Sequence, residues 1–265
     1  MKFKDKIVWI TGASSGIGEA LALEFARQGA RVVLSARNAE KLAKLVDEIS
    51  TIGTSMPQVV PFDLENSESI VNAVTNVINR CTKVDILVNN AGISQRSLVV
   101  ETPVEIDRKV FEINFFGAVT LTKALLPYMI ASGGGQIAVM SSVVGKFGFP
   151  LRSAYAASKH ALHGFFDTLR SELYLKNIKV TIICPGRILT NVSINAITKD
   201  GTAYGKMDEG QAKGLPADVF ARRVLRALRK GRKEIVTGGK EVLMVYIRRF
   251  LPWLYYILAS KVKPT

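Results

Sequence analysis

The chain has 265 residues, of which 48% are hydrophobic and 22% charged, so its composition is that of a globular protein and excludes a disordered or fibrous one. The formal net charge of +14 belongs largely to residues 222–265, where twelve lysines and arginines stand against two glutamates. Because the rest is nearly neutral and has no recognition motif, we expect no nucleic-acid partner. Cys81 and Cys184 lie far apart, which excludes a disulfide framework and a zinc-ligand spacing.

The first residues, MKFKDKIVWITG, run directly into a strand pattern, and their apolar stretch is too short for a signal peptide, so we expect a cytoplasmic protein. Apolar runs of strand length then alternate with helical patterns that begin at Asn38 and near Ser67, Thr102 and Tyr155. The later strand patterns are RVVLSAR, QVVPFDL, KVDILVNNAG, GQIAVMSS and IKVTIICPG. Strands that are apolar on both faces predict an α/β fold, in which helices cover both sides of a parallel sheet.

No linker interrupts this alternation, and we predict one domain over residues 1–238. Within it, residues 191–215 are polar and long for a connection, which is typical of a lid over a substrate site. Residues 239–265 follow as an apolar and basic C-terminal extension.

The first strand ends in TGASSGIG, with glycines at positions 12, 16 and 18. Such a turn lets the backbone approach a phosphate, and the helix after it points free N–H groups at the anion. Glycines alone are a weak signal, but the succession of strand, turn and helix predicts a nucleotide site.

The same turn also matches G-x-S-x-G, the nucleophile turn of serine hydrolases. A hydrolase needs an acid and then a histidine downstream, whereas His160 and His163 are the only histidines and share the helix of Tyr155. We therefore do not predict a hydrolase. Two histidines without a third ligand are also too few for a metal site, and we expect no metal.

The end of the second strand, Ser35-Ala36-Arg37, indicates which dinucleotide is bound. Sites for NAD place an acidic residue there to bind the ribose 2′-hydroxyl, whereas an arginine suits a 2′-phosphate. We therefore predict NADP(H) as the cofactor.

Ser142 is followed thirteen residues later by Tyr155 and four residues beyond that by Lys159, so tyrosine and lysine share one helix face. A phenol has a pKa of about 10 in water, and a nearby ammonium is expected to lower that pKa. A serine could hold a substrate oxygen while the tyrosine gives or takes its proton. The set predicts acid–base chemistry at a carbonyl.

Several motifs fall in one order: TGASSGIG, Asp63, NNAG at 89–92, Asn114, Ser142, YAASK at 155–159 and PGRILT at 185–190. This order resembles the single-domain short-chain dehydrogenase/reductases over nearly the whole chain to about residue 238. The segment DGTAYGKMDEGQAKG further resembles the branch of dehydrogenase/reductase member seven. The resemblance implies a Rossmann-type doubly wound parallel sheet of about seven strands. It also implies an oxidoreductase that acts on CH–OH groups and forms a homodimer or homotetramer.

The resemblance also implies residue roles. Tyr155 would be the acid/base, Lys159 its pKa partner and ribose ligand, and Ser142 the donor to the substrate oxygen. Asn114 would support a water that relays protons through Lys159, and Asp63 would meet the adenine. The full set of cofactor contacts would be Gly12, Ser14, Ser15, Gly16, Ile17, Gly18, Arg37, Asp63, Leu64, Asn90, Ala91, Gly92, Tyr155, Lys159, Pro185, Gly186, Ile188 and Thr190.

The expected substrate lining is largely apolar and favours a lipid, sterol, retinoid or aromatic ketone, or the matching secondary alcohol. An acyl-thioester ketoreductase and a non-catalytic dinucleotide sensor are the alternatives. Arg187 stands where relatives carry a smaller or apolar residue, and it could meet an anion or solvent. The lining is predicted to include Gln95, Val143, Val144, Phe147 and Phe149, with Ser142 and Tyr155 at the reacting oxygen.

The longest uncharged run in the C-terminal extension, FLPWLYYILAS, has only 11 residues, about half of the ~20 needed to span a bilayer. Its aromatic and basic residues suit peripheral contact of residues 241–265 with an anionic membrane surface. Packing over the substrate pocket or against a second subunit is the alternative.

Overall fold

The computed structural model describes residues 3–52 and 55–261. Seven strands form one parallel sheet, which confirms the predicted α/β doubly wound fold. Its spatial order is β3-β2-β1-β4-β5-β6-β9, while β7 and β8 pair separately. In chain order the strands are β1 (Ile7–Thr11), β2 (Arg31–Ser35), β3 (Gln58–Val59), β4 (Ile86–Asn89), β5 (Gly135–Met140), β6 (Ile178–Pro185), β7 (Ile188–Leu189), β8 (Leu215–Pro216) and β9 (Glu234–Thr237).

Helices cover both faces of this sheet, because successive strand side chains point to opposite sides and both sides are apolar. In β1, Val8 and Ile10 face α1, α2 and α8, whereas Ile7 and Trp9 face α3, α5 and α6. The helices are α1 (Gly16–Arg27), α2 (Ala39–Ser50), α3 (Ser67–Cys81), α4 (Val104–Phe111), α5 (Gly117–Ala131), α6 (Ser153–Glu172), α7 (Glu209–Ala212), α8 (Ala217–Arg229), α9 (Leu243–Phe250) and α10 (Pro252–Ser260).

Local capping fixes several helix starts. The Asn38 and Asn66 side chains accept hydrogen bonds from the backbone N–H groups of Lys41 and Ser69, at 2.8 and 2.9 Å. Two predicted starts shift by two residues: α4 begins after Pro103, at Val104, and α6 begins at Ser153. Proline restricts the residue before it to extended backbone, which prevents a helix from beginning at Thr102.

A stretch that combines α4, the turn after it and α5, Val104–Ala131, is long and apolar enough to cross a membrane by length and composition. Its most apolar 18-residue window is 44% buried. Helix α5 packs against α3 in the core on the sheet face to which Ile7 and Trp9 point.

The C-terminal extension packs onto the domain as far as residue 261. Tyr255 is buried against Phe147, Val143 and Val144, and its hydroxyl donates to the carbonyl oxygen of Gly148 at 2.7 Å. Helices α9 and α10 therefore cover the loop that follows β5, next to the site described below.

Candidate active site

A cavity of about 650 Å³ lies at the carboxyl end of the parallel strands, where ligands bind in folds of this kind. It extends from the turn after β1 to the N-terminal part of α6. Most predicted site residues line it: Gly12, Ser14, Ser15, Gly16, Ile17, Arg37, Asp63, Leu64, Asn90, Ala91, Gly92, Ser142, Val144, Phe149, Tyr155, Lys159, Pro185, Gly186, Ile188 and Thr190. Gly18, Gln95 and Asn114 do not line the cavity and act from behind it.

The turn after β1 is a cradle that side chains would fill. Gly12 and Gly16 adopt φ values of 64° and 60°, which favour glycine, and a Cβ on Gly18 would lie 2.1 Å from the carbonyl oxygen of Gly12. Within the described chain the Ser15 side chain does not cap α1, and the N–H of Gly16 reaches Glu19 Oε2 at 3.2 Å. The residues of this turn and of the start of α1 line the cavity, which places the N-terminus of α1 at its wall and fits a dinucleotide's phosphates.

The segment after β4 holds this cradle in place. The Asn90 side-chain amide donates to the carbonyl oxygens of Thr11 and Gly12 at 2.9 and 3.3 Å. In return, the Thr11 hydroxyl accepts from the backbone N–H groups of Asn90 and Ala91 at 3.0 and 3.1 Å. Asn90 therefore positions the turn as well as lining the cavity.

At the far end of the cavity, Arg37 is 63% exposed and lies 3.6 Å from Glu65 Oε2. Lys41, in the first turn of α2, lines the same end. Two cations beside the end of β2 suit a ribose that carries a 2′-phosphate, and the Glu65 contact is exposed enough to exchange for it.

At the opposite end, Ser142, Tyr155 and Lys159 meet. Burial raises the pKa of Tyr155, while a hydrogen bond with Ser142 and the charges of Arg152 and Arg96 partly offset that rise. Tyr155 is therefore a neutral phenol at pH 7, the form that can donate a proton.

The expected lowering of the Tyr155 pKa by Lys159 is not what the structure shows. The Lys159 ammonium lies 5.8 Å from the centroid of the tyrosine ring and donates to the Met140 carbonyl oxygen at 2.8 Å. Its side chain is 3% exposed, and burial lowers the pKa of Lys159 to about 8. The lysine is thus itself poised to exchange a proton near neutral pH.

Asn114 lies in a π-helical turn, Glu112–Phe116, between α4 and α5. Its side chain accepts from the Ile93 N–H at 2.8 Å and donates to the Ile93 carbonyl and the Ser158 hydroxyl at 2.9 and 3.1 Å. A Cβ on Gly92 would lie 2.8 Å from Asn114 Oδ1 and 3.2 Å from Lys159 Nζ. The glycine therefore lets the strand end, the asparagine and the lysine converge.

Residues 6–201 match the sequence profile of a family described as short chain dehydrogenase. The chain belongs to this family. It is 46% identical over 260 residues to "Dehydrogenase/reductase SDR family protein 7-like" of Drosophila melanogaster, covering 97% of this chain and 80% of the relative. The predicted family and branch resemblance are confirmed.

Two solved structures share the fold of this short chain dehydrogenase. One is a short chain dehydrogenase/reductase from Burkholderia phymatum in complex with NAD, with a TM-score of 0.83 at 24% identity. The match covers 100% of this chain and 98% of the solved chain. The other is an alcohol dehydrogenase from Thermococcus sibiricus complexed with 5-hydroxy-NADP, with a TM-score of 0.77 at 28% identity. This match covers 89% of this chain and 97% of the solved chain. This chain is thus an oxidoreductase of the family with a dinucleotide-binding fold.

Gln95 was expected to line the substrate pocket of this dehydrogenase, and the structure corrects that expectation. Its side chain is fully buried, and its carbonyl oxygen accepts from the backbone N–H groups of Ala154 and Tyr155 at 2.9 and 3.4 Å. Gln95 therefore caps α6 and positions Tyr155 from behind.

Three residues that the sequence analysis did not identify line the substrate end instead: Arg96, Arg152 and Asp208. Asp208 Oδ2 lies 2.5 Å from Arg96 Nη2 and 3.0 Å from Arg152 Nη2. The three come from segments far apart in sequence, so no local pattern points to them. Asp208 belongs to the predicted lid, which therefore contacts the substrate end of the cavity in this structure.

Behind the cavity, the ligand atoms of His163, Cys184 and Glu234 lie within 4.8 Å of one another, a spacing that a metal could use. Lys146 Nζ, however, contacts the same Glu234 oxygen at 2.6 Å, and burial raises the pKa of the Cys184 thiol to about 12. Both features oppose a metal, since the thiolate is the ligand. The absence of a metal stays a prediction.

Replacing Lys159 by methionine should abolish turnover and yet stabilise the fold at pH 7. Burial lowers the lysine pKa from 10.5 to about 8, so the unfolded chain binds the proton more tightly than the folded one. Below pH 8 this difference costs on the order of 3 kcal/mol of stability, and the cost disappears as the pH rises toward 10.5.

The measurement is the free energy of unfolding in urea between pH 7 and pH 10. Lys44→Met, at an exposed position of α2, is the matched control and should show no pH-dependent gain. A Lys159→Met protein that is less stable than the parent at pH 7 would contradict the expectation.

Proposed function

We propose that this chain is an NADP(H)-dependent oxidoreductase that interconverts an apolar ketone or aldehyde and the corresponding alcohol. The observation that carries the proposal is that Ser142 and Tyr155 line one end of the same cavity that the turn of residues 12–17 lines, with Arg37 at the other end. A dinucleotide with its phosphates at the turn would therefore extend toward the acid–base pair.

A bound nicotinamide supplies the hydride in reduction and accepts it in oxidation. In reduction, the Ser142 hydroxyl donates a hydrogen bond to the carbonyl oxygen and orients it. The Tyr155 phenol gives its proton to that oxygen as the carbonyl carbon is reduced, so the product is an alcohol. Because burial raises the pKa of Tyr155, the phenol keeps this proton at neutral pH until the carbonyl oxygen takes it.

Lys159 and Asn114 support this proton transfer. The buried Lys159 ammonium has a pKa of about 8 and lies 5.8 Å from the centroid of the Tyr155 ring. It can therefore supply a proton to replace the one that Tyr155 gives up. Asn114 fixes the strand end beside the lysine through its paired hydrogen bonds with Ile93. We assign Tyr155 and Ser142 to the reaction and Asn114 to positioning.

The apolar substrate class is supported by the lining beyond Ser142. Val143, Val144, Phe147 and Phe149 face the cavity and are backed by Tyr255 of α10. Such walls take up hydrocarbon because they remove apolar surface from water, at about 25 cal/mol per Å².

Tyr155→Phe should abolish NADPH-dependent reduction of an apolar ketone panel, with a loss of at least about 100-fold in kcat, because general-acid transfer contributes that much. The same protein should still bind NADPH, as measured by quenching of intrinsic fluorescence. Tyr128→Phe, at a half-exposed position on α5, is the control and should keep parental activity. Equal turnover of parent and Tyr155→Phe would exclude this role, and cofactor binding without turnover in the parent would favour a dinucleotide sensor.

Arg37→Asp should lower the ratio of kcat/KM for NADPH over NADH by about 10- to 100-fold, since it replaces a guanidinium beside the 2′-phosphate by a carboxylate suited to a 2′-hydroxyl. The comparison is made by steady-state kinetics with both cofactors. Lys44→Met, one helical turn beyond Lys41 and exposed, should leave the ratio unchanged. A parental enzyme that prefers NADH would refute the NADP(H) assignment.

We further propose that α9 and α10 contact an anionic membrane surface. Phe250, Trp253 and Tyr256 are 59–69% exposed. Arg248 and Arg249 directly precede Phe250, and the Arg248 guanidinium lies 5.3 Å from the centroid of the Tyr256 ring. Aromatic side chains beside arginines suit the interface of a bilayer with anionic headgroups.

The paired substitution Phe250→Ser and Trp253→Ser should reduce co-sedimentation with phosphatidylserine vesicles by about tenfold or more, because each ring buries apolar area. These side chains are chosen instead of a deletion, since removing α10 would uncover Phe147. Tyr174→Ser with Leu175→Ser, a pair of still more exposed apolar side chains distant in the chain, is the control. Equal sedimentation of the parent and the tail variant would rule the contact out.

A further inference from the structure

We propose that the substrate carries an anionic group, a carboxylate or a phosphate monoester, which Arg96 and Arg152 bind at the substrate end of the cavity. This deepens the proposed function and rests on it. The substrate would then be an apolar ketone or alcohol with one acidic end.

The argument begins with an imbalance of charge. Arg96 is 3% exposed and Arg152 15% exposed at their side chains, and both contact one oxygen of Asp208, at 2.5 and 3.0 Å. One carboxylate cannot neutralise two guanidinium groups, and an uncompensated charge is costly away from water. Burial and the neighbouring charge of Arg96 lower the pKa of Arg152 to about 10, as expected for a crowded cation. A ligand anion would balance the pair.

The second observation is an unused donor. Arg96 Nη1 donates to Ser94 Oγ and to the Gln95 carbonyl, at 2.8 and 2.7 Å, but none of the described residues accepts a bond from its buried Nε. Buried donors are almost always paired in folded proteins. The Nε has almost no accessible surface, so its missing bond adds to the cost of burying this guanidinium, whose charge faces the cavity.

The arginines are also held ready for a planar or tetrahedral oxyanion. The Phe149 ring lies 4.8 Å from Arg152 Cζ, so the ring face supports the guanidinium. Arg187, for which the sequence did not decide between an anion and solvent, also lines the cavity. Its charge adds to the positive field at Arg152. Forked guanidinium groups bind carboxylate and phosphate oxygens in pairs.

The position of the cluster places the anion near the reacting carbonyl. The charges of Arg152 and Arg96 both act on Tyr155 and lower its pKa against the effect of burial. A salt bridge that only held the 191–215 loop in place would need one arginine paired with Asp208. Here two arginines pair with it, and both line the cavity.

The test uses three ketones of equal chain length: a 4-oxo fatty acid, its methyl ester, and the phosphate monoester of a hydroxyketone. For the parent protein, kcat/KM with NADPH should be at least about tenfold higher for one of the two anionic ketones than for the ester. In Arg152→Met this preference should fall to about threefold or less. Whichever anion gives the higher kcat/KM identifies the acidic group as carboxylate or phosphate.

Binding of the same three compounds in the presence of NADP⁺, measured by calorimetry, provides a readout that does not depend on turnover. Arg152→Lys, which keeps the charge but loses the fork, should retain part of the preference and serves if Arg152→Met does not fold. Arg222→Met, in an exposed ion pair on α8, is the matched control and should keep the parental preference.

Equal binding of acid, phosphate and ester by the parent, or a preference that Arg152→Met and Arg152→Lys both retain in full, would overturn the inference. Selective binding of an anionic ketone without turnover of any of the three would instead count against the proposed reaction while it supports the anion site. The two failures are therefore distinguishable.

Discussion

The close contact between the turn after β1 and the segment after β4 is the constraint on which the rest of the site depends. Gly12 and Gly18 lie so close to Asn90 and Ala91 that a Cβ on either glycine would overlap neighbouring backbone or side-chain atoms. Thr11 and Asn90 tie the two segments through four hydrogen bonds. Because both segments leave adjacent parallel strands, the sheet register transmits this position to β5, from which Ser142 follows.

Burial acts on two reacting groups in the cavity, shifting their pKa values in opposite directions and disfavouring the charged form of each. It raises the pKa of the Tyr155 phenol and lowers that of the Lys159 ammonium, so both groups tend toward their neutral forms. Proton transfer requires a neutral phenol and a lysine that exchanges its proton readily. The nearby arginines, by contrast, keep their charge. The polarity of the substrate end thus comes from guanidinium groups rather than from the reacting pair.

The sequence was sufficient for the sheet, its two covered faces and most of the cavity lining, because hydrophobic period and glycine spacing are local signals. The π-turn at Asn114 was not predicted, since one extra residue per turn leaves no mark on an apolar pattern. Gln95 was placed in the pocket although it caps α6, because a polar residue after a strand has the same appearance in either role. The Arg96–Arg152–Asp208 cluster depends on tertiary folding alone.

The contacts of the C-terminal helices make two surfaces of the protein interdependent. The Tyr255 hydroxyl donates to the carbonyl oxygen of Gly148, which lies between the cavity-lining residues Phe147 and Phe149. Just before α9, Glu241 accepts from the backbone N–H of Arg187 in another wall, at 2.6 Å. A ligand that bound α9 or α10 and moved them would therefore move two walls of the cavity together. If such a ligand changed the affinity of the cavity, then by thermodynamic reciprocity a molecule filling the cavity would change the affinity of that outer surface by the same factor.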